Sequence, residues 1–190
     1  MKKLLLGTFL ATLTLFIWGF LFWGTPWPNP AFQHLDLEDE VAVWESLRDH
    51  IPASGTYYFP DVQREGGFEA AAARHDEGPL ATVMIHAEGM PVMSPAVFVL
   101  GFLHMFVSAL LMALLLRTAA PALTTYRRRA GFVASVGLVV AVWANLGEPV
   151  WNYHAWSFEL MQAAYDWTSW ILAGLVLARF AVPARSYAAA

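Results

Sequence analysis

The chain contains no cysteine, so neither disulfides nor thiolate metal chemistry helps to hold it together. Charge is scarce too: Asp, Glu, Lys and Arg supply 14% of the 190 residues, against 58% apolar, with 9 Trp and 13 Phe. That composition excludes an ordinary soluble enzyme and fits a small membrane protein. Repeats and low-complexity tracts are missing. So are a phosphate-binding glycine loop, a His-x-x-x-His zinc helix, a nucleophile elbow and a pair of histidines placed to ligate haem.

What is present is a sorting of charge by apolar runs. Apolar stretches at residues 1–23 and about 96–116, 130–147 and 160–180 are each long enough for a membrane-spanning helix. Lys2, Lys3, Arg117, Arg127, Arg128, Arg129, Arg179 and Arg185 are 8 of the 11 basic residues, and the pieces that carry them hold no carboxylate. Residues 24–95 hold 12 of the 15 acidic residues, with Arg48, Arg64 and Arg74 as their only bases. Lys and Arg are retained on the cytoplasmic side during insertion. The pattern therefore predicts four spans with both termini inside, and residues 24–95 and about 147–159 on the periplasmic, outer side of a bacterial inner membrane. A basic rim beside headgroups is an insertion signal and gives no reason to expect a nucleic-acid partner.

The first span is read as an uncleaved signal anchor, because Phe20, Phe22 and Trp23 occupy places where a cleavage site needs small side chains. Trp18, Trp23 and Trp27 suit an interfacial aromatic belt, and Pro26, Pro28 and Pro30 stop the helix. In the acidic cap, Asp36 is placed to cap a helix whose Leu37, Val41, Trp44, Leu47 and Ile51 recur at helical spacing. Residues 55–60 and 80–87 read as two strands able to pair, with an Ala-rich turn or short helix at 68–74 between them. The expected fold is an all-α membrane protein, a four-helix transmembrane bundle with a small α+β extracytoplasmic cap between spans 1 and 2. So small a cap hides little core and should lean on the membrane face or another protein.

Three groups of residues carry candidate chemistry. His104 and Asp166 each lie 13 residues before the arginine that ends their span, Arg117 and Arg179. At about 1.5 Å per residue both sit roughly 20 Å from that edge, at one depth. Asp166 shares a stripe with Glu159, Gln162, Ser169 and Ala173, while the third span reaches the same level with Asn145 and Glu148 along a small-residue stripe of Gly137, Ala141 and Ala144. An unpaired carboxylate in hydrocarbon costs about 3 kcal/mol or more, so these polar groups should face one another. They make either an intramembrane pocket for a proton, a metal ion or a headgroup, or interhelical hydrogen bonds that fix packing. The second group, Met84, His86, Met90 and Met93, offers soft ligands of the kind Cu(I) takes, or simply apolar gap-filling. The third is the aromatic loop around Trp151, Tyr153, His154 and Trp156, read as interfacial anchors or as a lipid or partner contact. Beyond a metal at one of these places, no cofactor is expected.

Several short motifs resemble a group of uncharacterised four-span bacterial inner-membrane proteins. These are Leu-Leu-Gly-Thr and Phe16-Ile-Trp-Gly in the first span, Ser54-Gly-x-Tyr-Tyr-Phe-Pro60, Gly89-Met, Tyr126-Arg-Arg-Arg-Ala-Gly-Phe, Trp151-Asn, and Asp166-x-x-x-Trp170-x-Leu-Ala-Gly-Leu-Val-Leu-Ala178. The resemblance extends over nearly the whole chain, departs from it around residues 152–156, and implies no activity, cofactor or catalytic residue. Size, packing surfaces such as Gly137-x-x-x-Ala141 and the lack of a cofactor motif lead to a non-catalytic accessory or scaffold subunit of a larger inner-membrane assembly, with the lipid bilayer and other membrane subunits as partners. The alternatives are a small transporter or proton-handling protein built on His104 and Asp166 and, third, a metal-binding membrane enzyme.

Overall fold

The computed structural model describes residues 1–64 and 66–182, so Arg185 lies outside the described residues. Helix α1 (Lys2–Trp23) is followed, after a short 3-10 turn, by α2 (Leu37–His50), strand β1 (Gly55–Phe59), α3 (Gly67–Glu77) and β2 (Ala81–Ile85). Then come α4 (Pro95–Ala119), α5 (Tyr126–Asn145), the short α6 (Glu148–Trp151) and α7 (Trp156–Phe180). The chain divides into two compact units. The first takes in Met1–Phe32, Met93–Pro149 and the chain from Ala155 onward; the second takes in Gln33–Val92 and Val150–His154.

Three helical segments, Lys2–Trp23, Pro95–Ala119 and Tyr126–Trp151, are long and apolar enough to cross a membrane. Their outward faces are bare hydrocarbon, with Leu13, Leu103, Leu111 and Val139 all exposed. A soluble protein does not sustain apolar patches of that extent. Helix α7 carries Glu159, Asp166 and Arg179 and is not among these three segments, yet it lies innermost. It packs along α5 on one side and α1 on the other, while α4 leans chiefly on α1 and touches α5 and α7 only slightly. Pairs along each seam show antiparallel neighbours: Gly174 against Val133 and Gly137 against Trp170 between α7 and α5, and Trp18 with Thr168 and Phe22 with Tyr165 between α1 and α7.

Small residues set these seams. The buried stripe of α5 is Val133, Gly137, Ala141 and Asn145, a strict repeat of four that leaves Ala144 exposed rather than continuing the stripe. A Cβ on Gly137 would stand 2.2 Å from Trp170 Cβ, so only glycine admits the ring here. In lipid, where apolar surface gains little by leaving its solvent, such close backbone approach is the main source of helix attraction. The fully buried Leu116, Val133 and Leu177 lie near the basic ends of their helices, and the buried residues of α4 are confined to Ala109, Met112, Ala113 and Leu116. Trp18 is half-buried and its Nε1 donates to Thr168 Oγ1 at 3.2 Å, with α7 alongside.

In the second unit β1 and β2 pair antiparallel, Gly55 opposite Ile85 and Phe59 opposite Ala81. Asp36 is the N-cap of α2, but its side chain makes no capping hydrogen bond. Ile51 and Ala71 are the buried apolar side chains of this unit among the described residues. The apolar face of α2 is consequently uncovered, with Leu37 75%, Val41 44% and Trp44 57% exposed.

Candidate functional site

At the end of the α5–α7 seam remote from the arginines, Asn145 Nδ2 donates to the Ala141 carbonyl and to Asp166 Oδ2, both at 2.9 Å. The bond forms because the four-residue stripe of α5 meets the Glu159, Gln162, Asp166, Ser169 stripe of α7. Glu159 and Ser169 on that stripe are 4% and 6% exposed, and Gln162 and Asp166 are half-buried. Gln162 Oε1 is buried and has no hydrogen-bond partner among the described residues. A buried polar atom left unpaired costs about 1–3 kcal/mol, so the seam retains unused hydrogen-bonding capacity beside a carboxylate. Glu148, which opens α6, is half-buried and carries an interaction of its own.

His104 stands apart from that seam. Its neighbour Met105 and Asp166's neighbour Tyr165 both approach Gly19 of α1, their Cε and hydroxyl lying 3.7 and 3.1 Å from where a Cβ would stand. Met105 and Tyr165 thus reach Gly19 from α4 and α7, which both pack on α1. His104 is exposed, and Tyr165 is enclosed by the rings of Phe22 and Trp23, with centroids at 5.0 and 5.4 Å.

Of the residues proposed for Cu(I), Met84, His86 and Met90 belong to the second unit and Met93 to the first; Met84, Met90 and Met93 are 74%, 56% and 67% exposed. His86 Nδ1 contacts the Glu88 carbonyl and lies 3.8 Å from its carboxylate. Ser54 closes the base of the hairpin, accepting from the Ala87 amide and donating to Glu88 Oε2, each at 2.8 Å. The Ser54 hydroxyl, with the Glu88 amide and His86, holds the Glu88 carboxyl below its ordinary value. Among the described residues no group of three or more His, Cys, Asp and Glu side chains is gathered closely enough to hold a metal ion.

The chain matches no protein-family model, no curated protein and no solved structure. Geometry alone therefore directs attention to one further place. Residues Val150–His154, which include Trp151 and Tyr153, belong to the second compact unit. There Trp151, Asn152 and Tyr153 join Tyr58, Asp61 and His75 around a half-open cleft of about 290 Å³. Tyr153 adopts φ 59°, and its ring meets His75 edge-on with centroids 5.8 Å apart. The Tyr57-Tyr58-Phe59 run and the aromatic loop are each visible as aromatic clusters in the sequence, but nothing local announces that they meet.

Proposed function

We propose that the protein is a non-catalytic accessory or scaffold subunit of a larger bacterial inner-membrane assembly. In this reading α1, α4, α5 and α7 are four spans, both termini are cytoplasmic and the second unit is periplasmic. The central position of α7 supports its inclusion, since a helix covered on both sides does not need an apolar surface all round. The basic residues that flank the helix ends support the orientation.

The bare face of α2 carries the functional conclusion. Leu37, Val41 and Trp44 form an exposed apolar stripe, with the Arg48 guanidinium over the Trp44 ring at 4.8 Å as its one cationic neighbour on the helix, and it is edged by Glu38, Asp39, Glu40, Glu45 and Asp49. An anionic headgroup surface repels that helix. The occupant it fits is another protein whose apolar groove is rimmed by Lys and Arg. Native mass spectrometry on the protein extracted from its own membrane in mild detergent is expected to find a larger particle. Val41→Glu with Trp44→Glu is expected to release the chain from it without lowering the melting temperature of the bundle. A wild-type chain that emerges alone would overturn the reading.

A second reading, proton handling, is favoured by the Asn145–Asp166 bond beside the unpaired Gln162 oxygen. Asp166→Asn keeps an acceptor but cannot titrate. If Asp166 only fixes packing, the variant melts within about 1 kcal/mol of wild type, in line with the usual worth of interhelical polar contacts, and vesicles holding the purified chain show no proton uptake with either protein. Uptake by wild type that Asp166→Asn abolishes would establish the second reading.

A further inference from the structure

The cleft between the hairpin and the Val150–His154 segment is outside everything argued so far. Its walls are the rings of Tyr58, Phe59, Trp151 and Tyr153, its carboxylate is Asp61, and among the described residues no Lys or Arg lines it. Asp61 Oδ1 accepts one bond, from the Gln63 amide at 2.9 Å, and its side chain stays exposed. An anion entering here meets the Asp61 carboxylate, while Arg64 and Arg74 line the neighbouring cleft that shares Asp61 and the hairpin wall. A positive charge is attracted by the carboxylate and by the negative faces of the rings together. The volume, about 290 Å³, is at the small end of ligand pockets, which run from roughly 300 Å³ upward.

Tyr153 adds an independent observation. A bulky residue in the left-handed region costs about 1–3 kcal/mol and persists only where its surroundings hold it, as ligand clamps do. Its ring is fixed edge-on against His75 at the cleft.

We propose that this cleft binds a small organic cation, an ammonium group carrying methyl or methylene carbons. The surrounding unit is acidic, with 12 carboxylates in residues 24–95 against three arginines, which raises the local concentration of such ligands. A free amine and the ammonium headgroup of a lipid share this chemistry.

The test uses the full chain in a polyoxyethylene detergent, which carries neither sugar nor ammonium. Tryptophan fluorescence and calorimetry follow titration with choline, tetramethylammonium and glycerophosphocholine, with methyl glucoside and acetate for comparison. Saturable binding of the ammonium compounds is expected, weakened about tenfold by Asp61→Asn and again by Tyr153→Gly, the scale of a partly desolvated cation–ring contact. Glycine suits the positive φ at 153, so that variant is expected to fold as well as wild type. Tighter binding of glycerophosphocholine than of choline points to a lipid headgroup as the source, the reverse to a free amine, and both uphold the site. Binding of the glucoside or acetate alone, of nothing, or of ammonium equally by all three proteins would overturn it.

Discussion

Gly137→Leu is expected to separate α5 from α7 and to lower the thermal midpoint of the detergent-solubilised protein more than any other single change considered. Even a methyl at this position meets Trp170 Cβ at 2.2 Å and the ring carbons at 2.7 and 2.9 Å. Trp170 Cβ is rooted in the backbone of α7, so the conflict is relieved only by moving a helix. Overpacking a tight interior usually costs about 1–3 kcal/mol; a leucine at the closest point of the seam should reach at least the top of that range. Gly131→Ala is the control, because a Cβ there meets nothing within 4 Å. Fluorescence-detected size exclusion after heating measures both. A Gly137→Leu protein that melts with wild type would show that the α5–α7 seam does not hold the bundle.

The second large effect concerns the surroundings of the helices. Val139 lies near the middle of the Tyr126–Trp151 segment and is 68% exposed. On a water-soluble protein, aspartate at so open a place is harmless or improves solubility. In the hydrocarbon core it costs about 3 kcal/mol. Val139→Asp is therefore expected to reduce insertion and the yield of membrane-extracted protein several-fold, whereas Val92→Asp, at a residue 99% exposed outside the helices, is expected to change neither. Normal extraction of Val139→Asp would contradict a lipid-facing α5.

Much of the helical framework is legible in the sequence, because long apolar runs bounded by arginine have few other readings. The two strands are legible for a similar local reason, short runs rich in aromatic and β-branched side chains bounded by Gly and Pro. Helix α7 is less plain: Asp166 and Glu159 dilute its hydropathy, and only its neighbours on both sides explain why such a helix lies innermost. The Asn145–Asp166 pair follows from two stripes of regular spacing, although the stripe on α5 passes through Asn145 and not Ala144. The order of helices around the bundle is not legible, since it depends on which ring fits which glycine; α4 and α7, which carry His104 and Asp166, both pack on α1 and touch each other only slightly. The cleft is the least legible place of all. His75 and Tyr153 are far apart in the chain, and no periodicity reports that they touch.

The placement of α7 between α1 and α5 also bears on how the molecule comes together. The hydrogen bond from Trp18 to Thr168 joins residues 150 positions apart, so a major seam of the bundle unites its first long helix with its last. Helical proteins usually assemble from neighbours in sequence and fold quickly for that reason. Here α1 and α5 both wait, with their small-residue faces unmatched, for a helix that emerges after them. Among the described residues α1 and α5 do not pack on each other, so the seams that unite the bundle exist only with the helix bearing Asp166 between them.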